Sequence, residues 1–308
     1  MTSQTASAPA TPPAFSRYIY GTTRLGDGRL PFAERVKMAR AAMDAGVWFH
    51  TSHQYGDALQ VLRAAFAEDR AHVPKLIVKI AGDTIADLRA TIRCNLAPLG
   101  LERLDVGQLC LGGQLAEEFR TGGRVYDELR QLRAEGRVGG FIGEVFPWTS
   151  AAPLEAWRAG HPVGVVDACI FYLNPLQRFA GNALWDVIVE RQIPVIAMRT
   201  VCGAPVHTLR DVPGAAWKDY LQKRAVEVAP VYERSGVRHW TEFCMRFAFG
   251  FPFVRATVGS TSRPDNLREF LAAARESRPL PADVQAELVA LQRRWSDETD
   301  VHAEPWTM

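Results

Sequence analysis

Residues 48–56 of the chain read Trp48-Phe49-His50-Thr51-Ser52-His53-Gln54-Tyr55-Gly56. Aromatic and β-branched side chains dominate its first half, polar residues and a glycine its second half, and an amphipathic helical pattern begins at Asp57. This order predicts a short buried strand that passes through a loop into a helix. A strand followed by a helix is the repeating unit of parallel α/β sheets.

The same alternation of short apolar runs and amphipathic helices continues on both sides of this stretch. Continuous apolar runs such as Leu76-Ile77-Val78 are typical of parallel strands covered on both faces. With Tyr18–Arg24 as the first strand, the chain holds eight β/α units, and no Gly-x-Gly-x-x-Gly motif follows an early strand. We therefore predict one (β/α)8 TIM barrel, an α/β fold, over residues 17–276.

The two ends differ from this pattern. Residues 1–16 are rich in Ala, Thr, Ser and Pro and predict a disordered leader, whereas residues 277–308 predict a C-terminal helix and an aromatic tail that pack on the barrel. The 308 residues are 47% hydrophobic, carry a net charge of +2 and include five scattered cysteines. We expect a soluble, cytoplasmic protein with reduced thiols that binds a small molecule, with no nucleic-acid or membrane partner; a homodimer is left open.

Chemistry in such a barrel collects at the carboxyl ends of the strands. That rule places His50 and Tyr55 near the second strand, Lys79 on the third and Cys110 on the fourth, around one mouth. Lys79 interrupts an apolar run, where an ammonium without a partner is costly. A lysine beside a phenol stabilises the phenolate and makes the phenol a better general acid.

Several segments resemble the aldo-keto reductases. The stretch from Trp48 to Gly56 is similar to their Phe-Asp-Thr-Ala-x-x-Tyr-Gly turn, with His50 at the aspartate position. Residues 21–26, 41–49, 95–105 and 260–269 resemble, in the right order, the opening strand, the helix and strand after it, the Leu-Gly segment and the loop that holds the cofactor's adenosine phosphate. The resemblance covers most of the predicted barrel and implies the aldo-keto-reductase type of TIM barrel.

The resemblance also implies site residues. The family's catalytic tetrad is Asp, Tyr, Lys and His: Tyr55 and Lys79 match it, while His50 and Cys110 replace the other two members. The implied cofactor is NADP, with Ser260, Thr261, Arg263 and Arg268 as candidate ligands of its adenosine phosphate. No other cofactor and no metal site is predicted.

The pocket implied for the nicotinamide differs more. Glu144, Val145 and Phe146 stand where the family has Val, Ser and Asn after the fifth strand, and Met198 stands where an aromatic ring stacks on the nicotinamide. These replacements predict a pocket that is poorly suited to hydride transfer. Three residues near the predicted mouth are candidates for binding substrate: Trp48, Glu144 and Arg199.

Three function classes follow. The first is reduction of a carbonyl compound with NADPH. The second is a non-redox lyase, dehydratase or isomerase that uses His50, Tyr55, Lys79 and Cys110. Cys110 and His50 could form a thiol–imidazole pair in such an enzyme. Alternatively, His50, His53 and Cys110 could bind zinc. The third is a non-catalytic binding or regulatory subunit. We favour an aldo-keto-reductase-like enzyme that acts on a carbonyl-containing small molecule, with Tyr55 as general acid/base assisted by Lys79.

Overall fold

The computed structural model describes residues 13–146, 151–201, 218–276 and 278–297, and eight parallel strands close into a barrel within these ranges. In chain order the strands are β1 (Tyr18–Gly21), β2 (Trp48–Thr51), β3 (Leu76–Gly82), β4 (Leu104–Leu111), β5 (Val138–Glu144), β6 (Ala168–Asn174), β7 (Gln177–Arg178), β8 (Val195–Met198) and β9 (Val254–Ser260). Pairing of β5 with β6 and of β9 with β1 completes the ring, while the two-residue β7 forms an antiparallel hairpin with β6. The predicted (β/α)8 barrel is confirmed.

Helices surround the strands. They are α1 (Phe32–Asp44), α2 (Ala58–Glu68), α3 (Ile85–Leu99), α4 (Gly113–Thr121), α5 (Val125–Ala134), α6 (Ala151–Ala159), α7 (Asn182–Arg191), α8 (Lys218–Arg234), α9 (Trp240–Phe249), α10 (Pro264–Glu276) and α11 (Ala282–Ser296). The structure adds α4 to the predicted order, and it buries Leu115 and Phe119, which lie four residues apart on one helix face. None of the helices in the described ranges has the uninterrupted apolar length of a membrane span.

The first and last described segments of the chain pack against different parts of the barrel. Residues 1–12 of the predicted leader lie outside the described residues, but Phe15 packs against Trp48 with ring centroids 4.9 Å apart, and the Ser16 hydroxyl accepts the Trp48 N–H at 2.9 Å. The leader as we predicted it therefore includes residues that contact the barrel. At the other end, the Gln292 amide of α11 donates to the Asn174 carbonyl at 2.7 Å. The predicted aromatic tail beyond residue 297 lies outside the described residues.

Candidate active site

The polar residues of the barrel interior meet near the carboxyl ends of β2 to β5. Side chains alternate between the inside and the outside of a barrel strand. The register pairs Lys79 of β3 with Gln108 of β4, and these two side chains face the interior with His50. Cys110 and Glu144 lie at the same end of β4 and β5 and contact each other. The structure thus brings together the four residues predicted on β2 to β5 and adds Gln108.

The loop that carries Tyr55 is held by a close backbone contact. A Cβ on Gly26 would lie 1.6 Å from the Tyr55 carbonyl oxygen, and a Cβ on Gly56 would lie 2.2 Å from the Gly26 oxygen. Only glycine permits this approach at both positions. Asp57 is the residue immediately before α2. Its carboxylate binds the guanidinium of Arg35, a residue that is 6% exposed, with Nη2 and Oδ2 2.9 Å apart. These contacts position Tyr55 over the mouth.

A buried asparagine joins this loop to β3. Asn95 of α3 is fully buried; its Oδ1 accepts the His53 N–H at 2.7 Å, and its Nδ2 donates to the Lys79 carbonyl at 3.2 Å. The same amide lies 3.2 Å from Nδ1 of His53. Sequence reasoning assigned Asn95 no role; its signal was a polar residue on the apolar face of α3, next to Ile92 and Leu96.

Lys79 is charged because a carboxylate accompanies it. Its Nζ donates to Oε1 of Glu144 at 3.0 Å, and only 3% and 2% of the two side-chain surfaces are exposed. Burial by itself lowers the pKa of a lysine, but the Glu144 carboxylate, with Tyr55 and Cys110, raises the Lys79 pKa overall. Removal of one member of such a buried pair costs about 3–5 kcal/mol, because the other charge is left uncompensated.

His50 is neutral. Its Nε2 lies 2.5 Å from Oε1 of Gln108, so the imidazole N–H donates to the amide oxygen. Burial lowers the pKa of His50 to about 4, and the nearby Lys79 charge acts in the same direction. At neutral pH His50 therefore supplies no positive charge.

Cys110 binds the same carboxylate as Lys79. Its thiol donates to Oε2 of Glu144 at 2.6 Å, and burial together with this carboxylate raises the Cys110 pKa well above its ordinary value. The thiol is therefore protonated, and the thiol–imidazole pair with His50 is not formed. The residues of the alternative zinc site are also separated, because His50 contacts Gln108, His53 contacts Asn95 and Cys110 contacts Glu144.

Tyr55 completes the polar cluster from the loop side. Its ring centroid lies 6.3 Å from that of His50, and its side chain is partly exposed. Burial of the hydroxyl raises the pKa of Tyr55 to about 12; the Lys79 charge lowers it and the Glu144 charge raises it. The phenol is therefore protonated at neutral pH and can donate a hydrogen bond to a carbonyl oxygen.

The opposite rim of the mouth, at the ends of β6 and β8, carries aromatic rings and an arginine. Tyr172 stacks on Phe179 at 4.2 Å, and the guanidinium carbon of Arg199 lies 4.6 Å from the centre of the Tyr172 ring. Arg199 adopts a φ of 46°, which is uncommon for a residue other than glycine. The Asn174 amide donates to its carbonyl at 3.0 Å. Such backbone strain concentrates at functional sites.

Trp48 lies at the other end of the barrel. It is the first residue of β2 and packs against Phe15, and the Lys75 ammonium lies 5.4 Å from its ring. Phe15 precedes β1 and Lys75 precedes β3, so both neighbours lie at the amino end of the barrel strands. A four-residue strand rises about 10 Å, which separates Trp48 from the mouth. We therefore correct the expectation that Trp48 binds substrate there.

The candidate phosphate ligands surround the start of α10. The Ser260 hydroxyl accepts the Arg24 N–H at 3.0 Å, and the Thr261 hydroxyl accepts the Arg263 N–H at 3.1 Å. Arg263 and Arg268 are exposed, and Arg268 forms an ion pair with Asp265. A helix N-terminus flanked by two arginines suits an anionic phosphate, so these residues fit the adenosine-phosphate end of NADP.

The part of the mouth that would face a nicotinamide is different. The inward residues at the ends of β5, β6 and β8 are Glu144, Tyr172 and Met198, as the strand registers require. The Glu144 carboxylate already accepts hydrogen bonds from Lys79 and Cys110. A carboxylate that is already bound to Lys79 and Cys110, and a thioether, thus face the region that the resemblance implied for the nicotinamide.

Comparisons with known proteins agree on the fold. No family model and no curated protein matched the sequence. An aldo-keto reductase from Klebsiella pneumoniae, solved in complex with NADPH, superposes with a TM-score of 0.67 at 17% identity and covers 91% of this chain and 92% of its own. A Pseudomonas aeruginosa protein, provisionally assigned as an aldo-keto reductase, superposes with a TM-score of 0.60 at 16% identity over 85% and 90% of the two chains. The chain has the (β/α)8 barrel of the aldo-keto reductases and is a divergent representative of that fold.

Proposed function

We propose that this protein is an enzyme of the aldo-keto-reductase type that acts on a carbonyl-containing small molecule. Tyr55 donates a proton to the carbonyl oxygen, and the Lys79 ammonium stabilises the phenolate that this leaves. The observation that carries the proposal is the buried Lys79 ammonium at the barrel mouth, whose charge lowers the pKa of the nearby Tyr55 hydroxyl. A buried ion pair rarely stabilises a fold better than apolar side chains do, which favours a chemical role over a regulatory scaffold.

We propose NADPH as the hydride donor of this enzyme. The fold and the arginines at the start of α10 support the assignment, with Arg263 and Arg268 holding the adenosine phosphate and Ser260 and Thr261 shaping the loop. When bound, the cofactor supplies the hydride that accompanies the proton from Tyr55. Lys79 and Glu144 stay paired through the reaction and keep the pocket electrically balanced.

A second candidate function is proton transfer without hydride, as in an isomerase, lyase or dehydratase. The specific observation in its favour is the engagement of Glu144 by Lys79 and Cys110, which leaves this carboxylate poorly placed for a nicotinamide carboxamide. In this version Tyr55 and the neutral His50 exchange protons with the substrate.

We propose that the substrate carries an anionic group beside its carbonyl. Arg199 lies over the Tyr172 ring, and Tyr172 is near enough to Tyr55 and Lys79 to contribute to the shifts of their pKa values. A carbonyl oxygen at Tyr55 therefore leaves the far side of a small molecule facing the Arg199 rim. A guanidinium binds a carboxylate through two parallel hydrogen bonds, which makes carbonyl acids the favoured class.

The deciding experiment is a titration with NADPH, followed through quenching of tryptophan fluorescence, and then turnover of a panel of aldehydes and 2-oxo acids. We expect saturable binding that weakens in Arg263→Ala/Arg268→Ala, and turnover that falls at least a hundredfold in Tyr55→Phe. Absence of saturable binding up to millimolar NADPH rejects the reductase. The non-redox version then predicts exchange of the α-proton of a carbonyl acid with D2O. Full activity of Tyr55→Phe in either assay rejects this site.

A further inference from the structure

The buried ion pair of the mouth spans a strand. Lys79 belongs to β3 and Glu144 to β5, and β4 lies between them. Neighbouring strands are about 4.8 Å apart, so the two side chains meet across about 10 Å of sheet. Their charged atoms nevertheless lie 3.0 Å apart. Both side chains therefore extend over the strand between them.

The residue of β4 beneath this crossing is Cys110. Its thiol contacts Oε2 of Glu144 at 2.6 Å, while Oε1 of the same carboxylate binds Lys79. A cysteine side chain ends one atom beyond Cβ. An imidazole at this position would project into the space that the Glu144 carboxylate occupies. The small residue on β4 and the long carboxylate on β5 therefore depend on each other.

The other neighbour of β3 is β2, and β2 provides no charge next to Lys79. His50 of β2 is close enough to Lys79 for the ammonium to lower the His50 pKa, and its imidazole is neutral and binds Gln108. In the described part of the mouth, the carboxylate in contact with Lys79 comes from β5.

We propose that Glu144 is the positioning residue that holds the Lys79 ammonium in place and balances its charge beside Tyr55, and that Cys110 is small in order to permit it. The proposal rests on the proposed function of Tyr55 as proton donor. It differs from the substrate-binding role expected for Glu144, because both carboxylate oxygens are bound to side chains of the protein.

The test uses the full chain and five variants. Glu144→Gln removes the charge and keeps the shape, and Glu144→Gln/His50→Asp places a carboxylate on β2, the other strand beside Lys79. Cys110→His blocks the crossing, and Cys110→Ala leaves it open. Lys79→Met/Glu144→Gln removes both charges. Each variant is also made with Tyr55→Phe, so that the difference in ultraviolet absorbance reports the ionisation of Tyr55 alone.

The first measurement is the ionised fraction of Tyr55 at about pH 10.5, a pH at which an ordinary tyrosine is mostly ionised. Among the described residues, the charged and titratable groups that act on Tyr55 are His50, Lys79, Cys110, Glu144 and Tyr172. We expect Tyr55 to be mostly protonated in the wild type. Loss of the Glu144 charge should increase the ionised fraction several-fold, and His50→Asp should reverse most of that increase. Cys110→His should resemble Glu144→Gln, and Cys110→Ala should resemble the wild type.

The second measurement is the thermal midpoint. Glu144→Gln and Cys110→His should lower it, and His50→Asp should recover at least half of the loss in the double variant. If Glu144→Gln does not fold, the proposal still requires Lys79→Met/Glu144→Gln to fold, because no charge is left alone. An unchanged Tyr55 ionisation in Glu144→Gln, a lack of restoration by His50→Asp, or a failure of the uncharged double variant to fold overturns the proposal.

The third measurement is turnover of a carbonyl substrate. Glu144→Gln should lower kcat at least tenfold with KM within about threefold, since the effect acts through Lys79 and Tyr55 rather than through substrate binding. A raised KM with unchanged kcat would show that Glu144 binds substrate and would overturn the proposal. If the wild type turns over no carbonyl compound, the proposed function fails, and the Tyr55 ionisation still decides the role of Glu144.

Discussion

Nε2 of His50 lies 2.5 Å from Oε1 of Gln108 inside the barrel, and burial together with the Lys79 charge keeps this imidazole neutral although the hydrogen bond to Gln108 acts in the opposite direction. The amide can only accept at this oxygen, so the ring must donate its proton there. The charge of the mouth is consequently carried by Lys79 and Glu144.

The first prediction concerns stability at acidic pH. The folded-state pKa of His50, about 4, is below the unfolded value of about 6.5, so the unfolded chain binds more protons between these values. Stability due to neutral His50 is full above about pH 6.5 and is lost as the pH falls towards 4, by about 3 kcal/mol. Urea unfolding from pH 7 to pH 4 measures this loss. His50→Asn, which keeps a donor for Gln108 but does not titrate there, should lose correspondingly less; an equal loss would contradict the assignment.

The second prediction concerns Arg199. Arg199→Met should raise KM about tenfold or more for a carbonyl acid and leave KM for a neutral aldehyde within about threefold, because a hydrogen bond to a charged group is worth about 1.5–3 kcal/mol. Arg130→Met on the outer face of α5 is the matched control, since Arg130 is exposed and pairs with Asp127. Equal effects on acid and neutral substrates would argue against an anion site at Arg199.

The third prediction concerns the glycine under the Tyr55 loop. Gly26→Ala would place a Cβ 1.6 Å from the Tyr55 carbonyl oxygen, so backbone must move. We expect a loss of more than about 2 kcal/mol of unfolding free energy together with a fall in turnover. Gly28→Ala is the control: its φ of +67° is strained for alanine, but its Cβ would meet no atom within 4 Å, and we expect a smaller loss of about 1 kcal/mol with turnover retained. Similar results for the two variants would show that the contact with Tyr55 is unimportant.

The fourth prediction concerns Asn95. Asn95→Ala leaves the His53 N–H and the Lys79 carbonyl without this partner and should cost about 2 kcal/mol. Asn95→Asp keeps the acceptor for His53 and loses the donor for Lys79, so it separates the two contacts. Chemical unfolding gives the energies, and turnover reports whether the Tyr55 loop has moved. Wild-type stability in both variants would contradict the bracing role of Asn95.

Local patterns were sufficient for the architecture. Apolar runs of strand length, helical periodicity and the count of eight units predicted the barrel, because a strand buried on both faces and a helix with one apolar face each leave a mark on a few consecutive residues. The helix Gly113–Thr121 is absent from the predicted order because a pair of glycines stands at each of its ends, a pattern typical of a loop. Tyr55 and Lys79 were also accessible to sequence reasoning, from the turn motif and from a lysine inside an apolar run.

The contacts of the mouth were not accessible in the same way. Glu144 lies 65 residues from Lys79, and Gln108 lies 58 residues from His50. Which side chains meet inside a barrel depends on strand order, register and the direction of each strand. The same dependence explains Trp48, which is two residues from His50 in sequence and at the opposite end of the barrel.

The sequence by itself therefore determined the barrel, the end of the barrel at which polar residues meet, and several residues at that mouth. These follow from short-range periodicity, from the ends of the strands and from the cost of burying a lysine. Only the tertiary structure decided that Glu144 is the carboxylate of Lys79, that burial beside the Lys79 charge keeps His50 neutral and that Cys110 is a protonated thiol. Protonation and pairing depend on burial and on distances between atoms from different strands, and these exist only when the barrel has closed.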